Sequence, residues 1–156
     1  MKVAQTLFLQ TIALLGGTIF AWSQVIPQFR NFYATYGTLF RLEGCVIPNP
    51  LATACFYGSI AFLIALIWSF SIMRAPNYTR ERYLKNFLIF CVIFACSVVM
   101  YETVDYYKLF GSEVGVLPVS CTPGVAPFQT PCFYGMLFFI ASLVASIFGV
   151  RKLKYN

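Results

Sequence analysis

The stretch 54–73, ACFYGSIAFLIALIWSFSIM, decides the fold because it contains no charged residue over the length of a membrane span. A helix needs about 20 predominantly apolar residues to cross a bilayer. A helix of a soluble bundle would instead carry polar residues along one face. Between Ile60 and Phe70 the only polar side chain is Ser69. The stretch therefore predicts a transmembrane helix.

Three further runs lack charged residues: 3–29, 86–101 and 114–150. The chain is 60% apolar and only 10% charged, against about 25% charged residues in soluble domains. We therefore predict an all-α integral membrane protein, a single domain over 1–156. Its four helices are predicted at about Val3 to Ile26, Ala54 to Met73, Lys85 to Met100 or slightly beyond, and Pro131 to Val150. The lipid bilayer is the expected environment, and nucleic acid is not an expected partner in spite of the net charge of +6.

Lysine and arginine are concentrated on one side of the predicted membrane. That side carries Lys2, Arg74, Arg80, Arg82, Lys85, Arg151, Lys152 and Lys154, with Glu81 as its only acid. The other side carries Arg30, Arg41 and Lys108 together with Glu43, Glu102, Asp105 and Glu113. Because basic residues favour the cytoplasmic side, we expect both termini and the Arg74–Lys85 loop in the cytoplasm. The two long loops then face outward, from what we expect to be a bacterial cytoplasmic membrane.

Two parts of the chain resemble each other at an offset of 74 to 77 residues. TACFYG at 53–58 matches TPCFYG at 130–135, FAWS at 20–23 matches FACS at 94–97, and Gly37 and Cys45 match Gly111 and Cys121. We interpret this as a helical hairpin duplicated in parallel orientation, with repeats at about 3–73 and 85–150. Residues 1–23 have the pattern of a secretory signal, but we expect them to be retained because helix three contains their counterpart.

Four of the six cysteines lie near the outer ends of the helices. They are Cys45 and Cys55 in the first repeat, and Cys121 and Cys132 in the second. Thr53 and Thr130 are predicted N-caps whose hydroxyls accept an N–H of the next turn, and Pro131 suits the first helical position. The predicted helix-start motif comprises Thr53, Phe56, Tyr57 and Gly58, and Thr130, Pro131, Phe133, Tyr134 and Gly135. Cys91 and Cys96 fall inside helix three, where we expect small apolar core residues.

Three interpretations of the outer cysteines remain open. Structural disulfides Cys45–Cys55 and Cys121–Cys132 would staple each loop to the start of its helix in an oxidising compartment. Redox chemistry is the second, because a helix N-terminus stabilises a nucleophilic thiolate. A Cys₄ metal site is the third, but nine residues between ligands is not a usual spacing, and we expect no metal. The absence of histidine excludes His-ligated haem, a Ser-His-Asp triad and a His-based zinc site.

The arrangement of these cysteines resembles that of the bacterial membrane oxidases that form disulfide bonds, and more loosely the vitamin K epoxide reductases. In the oxidases each outer loop carries a cysteine pair, and Cys45, Cys55, Cys121 and Cys132 occupy comparable places. The resemblance implies cytoplasmic termini and electron transfer to a quinone. Both families use a C-x-x-C pair facing the quinone, whereas here Gly58 and Gly135 stand where a second cysteine would be needed.

Other polar and small residues suggest structural roles. Glu102 and Asp105 are expected to end the third span and to pair with Arg30 or Lys108. Gln10, Thr11 and Thr18 are the polar residues nearest to mid-bilayer, too few to favour a transporter. Small residues at helical spacing allow close helix contact, and two such stripes are Ala61, Ala65 and Ser69 on helix two, and Ala141, Ala145 and Gly149 on helix four.

These patterns favour a non-enzymatic membrane protein with two disulfide-stapled outer loops and no cofactor. Its expected role is structural, as an accessory subunit or self-associating component of a membrane protein complex, with other membrane subunits as hetero- or homo-oligomeric partners. The alternative is a quinone-linked thiol–disulfide oxidoreductase of the membrane oxidase type, with quinone as its cofactor.

The excess of basic residues leads to a test of orientation. A cysteine introduced by Asn77→Cys should react with a membrane-impermeant maleimide only after the membrane is permeabilised, because the Arg74–Lys85 loop is expected in the cytoplasm. The measurement is mass tagging of intact and permeabilised cells. Labelling in intact cells would mean that the topology is inverted and that the outer cysteines face a reducing compartment.

Overall fold

The computed structural model describes residues 3–40, 49–107 and 126–155. Four long helices make up most of this: α1 (Val3–Tyr36), α2 (Ala54–Arg74), α3 (Tyr78–Tyr106) and α4 (Pro131–Tyr155). Short 3₁₀ turns at Pro50–Ala52 and Pro127–Gln129 lead into α2 and α4. All four helices are long and apolar enough to span a membrane. The prediction of an all-helical protein with four candidate spans is therefore confirmed.

The predicted and observed helix starts agree for the two helices that begin where their apolar segment begins. Helices α2 and α4 start at Ala54 and Pro131, as expected, whereas α3 begins at Tyr78 and not near Lys85. Asn77 caps α3, because its side-chain oxygen accepts the N–H groups of Thr79 at 2.8 Å and Arg80 at 3.4 Å. The charged residues after the cap are good helix formers. The charged residues therefore lie before the apolar segment but already inside the helix.

Helix α1 continues well beyond its apolar part. It passes through Pro27 and ends at Tyr36, ten residues after the predicted end at Ile26. Gly37 follows with φ of 67°, and its N–H donates to the carbonyl of Tyr33 at 2.8 Å. Glycine adopts this left-handed conformation without strain, so it ends the helix in an αL cap. Gly111, the predicted counterpart, lies outside the described residues.

Neighbouring helices run antiparallel. Thr11 near the start of α1 meets Ser69 near the end of α2, with 2.7 Å between the hydroxyl oxygens. Phe29 in the last part of α1 contacts Phe56 at the start of α2, with 5.5 Å between ring centroids. Helices α3 and α4 are paired in the same way: Glu81 near the start of α3 contacts Ser146 in the last part of α4, and Glu102 near the end of α3 contacts Thr130 directly before α4. Helix α1 packs on α2 and α4, and α3 packs on the same two helices. The described residues thus form an up-down-up-down bundle.

The two ends of the bundle differ in chemistry. One end holds the described basic residues Arg74, Arg80, Arg82, Lys85, Arg151, Lys152 and Lys154. The opposite end holds the two 3₁₀ turns with Cys55 and Cys132. Between the ends many large apolar side chains point outward, including Ile19, Ile67, Phe90, Ile93 and Phe148. Such a surface suits a lipid environment. The side of the membrane that each end faces remains a prediction.

Two stacked rings fill the middle of the bundle. Phe62 of α2 and Phe139 of α4 lie face to face, with 3.7 Å between ring centroids and an interplanar angle of 6°. Both are buried in the core, together with Leu14, Ala65, Leu66, Leu88 and Cys91. Gly17 of α1 lies against this pair, since a Cβ atom there would be only 2.4 Å from Cε1 of Phe62. The stacked rings and their apolar neighbours separate the polar residues near the two ends.

The small residues do not all lie at helix contacts. On α2, Ala65 and Ser69 are buried and Ala61 is half-buried. On α4, Gly149 is buried and Ala145 half-buried, whereas Ala141 is exposed. The fully buried small residues of α4 include Ser142 and Ser146. The packed face of α4 is therefore turned by about one residue from the predicted stripe.

The contact at Gly17 leads to a test of the core. Gly17→Ala should lower the free energy of unfolding by about 1–3 kcal/mol, because the added methyl group must displace a ring that is stacked and buried. Gly58→Ala is the matched control in α2, where a Cβ atom would meet nothing within 4 Å. Its stability should stay unchanged or rise by up to about 1 kcal/mol. Unfolding in detergent micelles measures both, and equal stability of the two variants would contradict the described packing.

Candidate functional site at the starts of α2 and α4

Helices α2 and α4 begin with the same local structure. In each, the threonine after the 3₁₀ turn donates its N–H to the carbonyl of a proline, Thr53 to Pro50 at 3.1 Å and Thr130 to Pro127 at 3.3 Å. The hydroxyls donate to the same two carbonyls at 2.7 and 2.8 Å. One turn later the N–H groups of the FY dipeptides bind the threonine carbonyls, at 3.1 to 3.5 Å. The hydrogen bonds correspond one to one at an offset of 77 residues.

The threonines serve as caps in different ways. Thr130 accepts the N–H of Phe133 through its hydroxyl at 3.4 Å, as expected of an N-cap. Thr53 is the N-cap residue of α2, as predicted, but its hydroxyl makes no such hydrogen bond. Both hydroxyls donate to the proline carbonyl of the preceding 3₁₀ turn, so that hydrogen bond does not distinguish the two threonines.

The other residues of the motif surround the helix starts. Phe56 and Phe133 are half-buried, and Phe133 contacts Phe128 of the preceding turn, with 5.6 Å between centroids. Tyr57 and Tyr134 are exposed, and Tyr134 lies against Phe20 of α1. Neither Gly58 nor Gly135 is enforced by close contacts, since a Cβ atom would meet nothing nearer than 3.9 Å. The aromatic side chains of the motif thus lie next to the two cysteines at the helix starts.

The sulfur atoms of Cys55 and Cys132 touch. They are 3.5 Å apart, which is contact distance and longer than the bond of about 2.05 Å in a disulfide. No two cysteines among the described residues lie at disulfide distance. Cys45 and Cys121 fall outside the described residues, so the pairings Cys45–Cys55 and Cys121–Cys132 stay predictions. The sequence analysis assigned Cys55 and Cys132 to two separate disulfides and did not predict that their sulfur atoms lie in contact.

Glu102 of α3 completes the site. It is buried, its Oε2 accepts the hydroxyl proton of Thr130 at 2.9 Å, and its carboxyl lies within hydrogen-bonding reach of the Cys132 thiol. The sequence analysis placed Glu102 at the end of the third span but did not predict its burial inside the bundle, and Lys108, one of its two predicted partners, lies outside the described residues. Arg30 and Asp105 are exposed. The antiparallel pairing of α3 with α4 turns the end of one helix toward the start of the other, and sequence alone did not show this.

The hydroxyl of Thr130 has one proton and two acceptors within reach, Oε2 of Glu102 and the carbonyl of Pro127. With Glu102 ionised, the proton points to the carboxylate. With Glu102 protonated, the carboxyl group donates to the Thr130 oxygen, and the hydroxyl proton turns to Pro127. Both protonation states of Glu102 are therefore hydrogen-bonded. Glu102 can therefore accept a proton from Cys132 and keep its hydrogen bond with Thr130.

A small apolar cavity lies beneath the two sulfurs. Its volume is about 60 Å³, and all four helices line it. Its walls include Phe20, Phe62, Phe94, Met136, Cys55 and Cys132. Pockets for cofactor-sized ligands have volumes of about 300–1,000 Å³. A quinone head group would therefore enter only if the helices moved apart.

Two further sequence hypotheses concern cysteines. Cys91 is buried in the core and Cys96 is half-buried, with its sulfur 3.6 Å from the sulfur of Met136. Within the described ranges no group of three or more Cys, Asp or Glu residues could hold a metal. A Cys₄ site would need Cys45 and Cys121, which lie outside those ranges, so that alternative is not tested.

Comparison of the chain with protein-family models, with curated proteins and with solved structures finds no significant match. The geometry of the site is therefore the basis for assigning a function.

The sulfur contact predicts a cross-link. In a Cys45→Ser/Cys121→Ser variant, mild oxidation with copper phenanthroline should join Cys55 to Cys132, because small side-chain rotations close the remaining gap. Non-reducing peptide mapping identifies the product. Cys91 and Cys96 are internal controls and should stay unlinked, since a separation of five residues puts them on different faces of one helix. Failure of Cys55 and Cys132 to join would contradict the described contact.

Proposed function

We propose that this membrane protein is a thiol–disulfide oxidoreductase in which Cys55 and Cys132 pass electrons between two cysteine pairs. The observation that carries this proposal is the 3.5 Å contact between their sulfur atoms. Disulfide exchange requires a thiolate to attack one sulfur of a disulfide. The reacting atoms are thus already in contact, on two half-buried side chains.

The exchange step is as follows. A thiolate at Cys132 attacks Sγ of Cys55 in a Cys45–Cys55 disulfide, so the Cys55–Cys132 bond forms and the bond to Cys45 breaks. Cys45 leaves as a thiolate, and the proton of Cys132 passes to Glu102. The thiolate of Cys121 then attacks Sγ of Cys132, so the Cys121–Cys132 bond forms, the Cys55–Cys132 bond breaks, and Cys55 leaves as a thiolate. Both steps exchange disulfides without net oxidation.

Net oxidation of a substrate dithiol needs an electron acceptor, and we propose a membrane quinone. The quinone takes two electrons and two protons, and one cysteine pair becomes a disulfide. The cavity beneath the sulfurs has an apolar lining suited to a quinone ring, but its volume requires the helix starts to separate first. Quinone reduction in this scheme therefore includes a conformational step.

The helix start favours a thiolate at Cys132, whereas burial of the thiol beside the Glu102 carboxyl opposes it. The thiol lies in the first turn of α4, where unpaired backbone N–H groups and the helix dipole stabilise negative charge. Glu102 beside it accepts the proton, and Thr130 keeps that carboxyl oriented through its hydrogen bond of 2.9 Å. Glu102 is in this scheme the proton acceptor and Thr130 a positioning residue.

A duplicated hairpin supports the two-pair scheme. Residues that are equivalent at an offset of 77 meet between α2 and α4: Cys55 contacts Cys132, and Phe62 stacks on Phe139. Each repeat at about 3–73 and 85–150 would then contribute one sulfur and one loop cysteine. With termini in the cytoplasm, as the basic end favours, the cysteines face an oxidising compartment.

A structural role is the second candidate, favoured by the small volume of the cavity and by the lack of a C-x-x-C pair. In it the disulfides Cys45–Cys55 and Cys121–Cys132 staple the loops of a membrane complex subunit. A disulfide that closes about ten residues contributes roughly 2–3 kcal/mol on chain-entropy grounds. Such disulfides would not cycle.

Quinol formation by the full chain in lipid nanodiscs separates the two roles. With a reduced dithiol peptide and a short-chain quinone, the wild-type protein should form quinol, and Cys55→Ser or Cys132→Ser should abolish it. Cys96→Ser is the matched control and should keep the wild-type rate. Glu102→Gln, which can still accept from Thr130, should slow the reaction by about 10²-fold as expected for loss of a proton acceptor.

Thermal unfolding of the same variants decides the interpretation. Loss of activity at an unchanged melting temperature supports the oxidoreductase. The structural role is supported instead if the wild-type protein forms no quinol and if Cys55→Ser and Cys132→Ser both melt at lower temperature.

A further inference from the structure

A groove runs along the outside of the bundle between α1 and α4. Its volume is about 740 Å³, within the range of about 300–1,000 Å³ that ligand pockets have. Two of the small residues predicted at helix contacts, Ala141 and Ala145, line the groove together with Ala13 of α1. Because these alanines are small, they leave a hollow between the larger, exposed side chains of Ile12 and Phe148.

The length of the groove corresponds to the depth of one membrane leaflet. Its lining on α4 extends from Ala141 to Lys152, and the eleven residue steps between them rise about 16 Å along a helix. Half of a hydrocarbon core of about 30 Å is about 15 Å. Ala141 lies close to Phe139 in the middle of the bundle, whereas Lys152 lies in the last turn of α4. The groove therefore extends from the basic end of the bundle to its apolar centre.

Lys152 stands at the basic end of the groove. Its ammonium is the only charged group in the described lining, and its side chain is half-buried. Nζ of Lys152 donates to Oγ1 of Thr6 at 3.2 Å, and Thr6 itself is buried. A lysine ammonium has three donor hydrogens, so this bond orients the group and uses one of them. The positive charge is thus held at the depth where lipid head groups begin.

The surface around Lys152 is basic. Arg151 and Lys154 are exposed in the last turn of α4. The sequence analysis counted Glu81 among the charges of this side and did not predict its burial. Because α3 begins before Glu81 and carries it into the bundle, its Oε1 accepts from Ser146 at 2.7 Å and the side chain is fully buried. In the described ranges, the exposed charged residues at this end are therefore all basic.

We propose that this groove binds an anionic phospholipid of the adjacent leaflet. One acyl chain lies along Ala13, Ala145 and Ala141, and the phosphate accepts from the ammonium of Lys152. An apolar groove with one positive charge at its end is complementary to an acyl chain with a phosphate at its end. The basic surface beside it favours a lipid of net negative charge over a zwitterionic one. The groove lies at the end opposite the cysteines, so the proposal is independent of the thiol chemistry.

A second copy of the chain fits the groove less well. In the same orientation, a second copy would bring its own basic end against Lys152 and Arg151, and juxtaposed like charges oppose association. An anionic lipid instead brings the opposite charge to the same place.

Photo-cross-linking in lipid nanodiscs tests the location of the site. The full chain is reconstituted in phosphatidylcholine with a trace of phosphatidylglycerol that carries a diazirine near the end of one acyl chain. Peptide mapping should place the adducts mainly at 12–13 and 141–145, where the groove reaches the apolar centre. The same diazirine chain on phosphatidylcholine should label the lipid-facing sides of all four helices.

Variants separate the charge from the shape of the groove. Lys152→Gln should lower the affinity for phosphatidylglycerol about fivefold, the attraction of one basic residue to an anionic lipid surface, as measured by native mass spectrometry. Arg82→Gln is the matched control, because Arg82 is exposed at the same end but does not line the groove. Ala141→Phe should fill the exposed part of the groove and abolish the adducts, whereas Ala34→Phe, exposed in the last part of α1, should keep them.

Three results would overturn the proposal. The first is an even spread of phosphatidylglycerol adducts over the four helices, or equal labelling of the groove by both lipids. The second is an equal affinity of Lys152→Gln and Arg82→Gln for phosphatidylglycerol. The third is cross-linking of the groove to a second copy of the chain in place of lipid, which would make it a protein interface.

Discussion

The stacking of Phe62 on Phe139 sets the distance between α2 and α4, and the cysteine site depends on that distance. The rings lie seven residues, or about two helical turns, after Cys55 and Cys132. Helices held this close at their middle bring their first turns together, so the sulfurs meet at 3.5 Å. Gly17 makes the stack possible because any side chain there would occupy the space of the Phe62 ring.

The lipid environment explains why polar residues gather at two sites. Helices in a bilayer gain little from burying apolar side chains against one another, because lipid is equally apolar. Polar groups are costly when they face lipid, and they turn toward the bundle interior. The carboxylates of Glu81 and Glu102 both follow this rule, and each accepts from a hydroxyl: Ser146 of α4 for Glu81, and Thr130 directly before α4 for Glu102. The apolar centre keeps the two carboxylates apart.

Sequence predicted the helices well and their polar contacts poorly. The lack of charge over 54–73 and the repeated TxCFYG motif gave the starts of α2 and α4, because those helices begin where the apolar segment begins. The start of α3 was placed too late, since charged residues can continue a helix beyond the membrane. Burial of Glu81 and Glu102 was missed because a carboxylate near a helix end is usually an interfacial residue. The hydrogen-bond partner of Glu81 is Ser146, 65 residues away in the chain, and that of Glu102 is Thr130, 28 residues away. Only the pairing of α3 with α4 brings these residues together.

The contacts between equivalent residues of α2 and α4 have a consequence for assembly. In a two-fold symmetric dimer, residues on the axis meet their own copies. A hairpin consisting of the first repeat alone would, as such a dimer, place Cys55 against Cys55 of the second copy and Phe62 against Phe62. Both contacts of the present chain would be preserved on that axis. If the two hairpins arose by duplication, as we propose, the core of the chain has the geometry of a homodimer joined into one polypeptide, in which a carboxylate such as Glu102 can stand beside one sulfur and not the other.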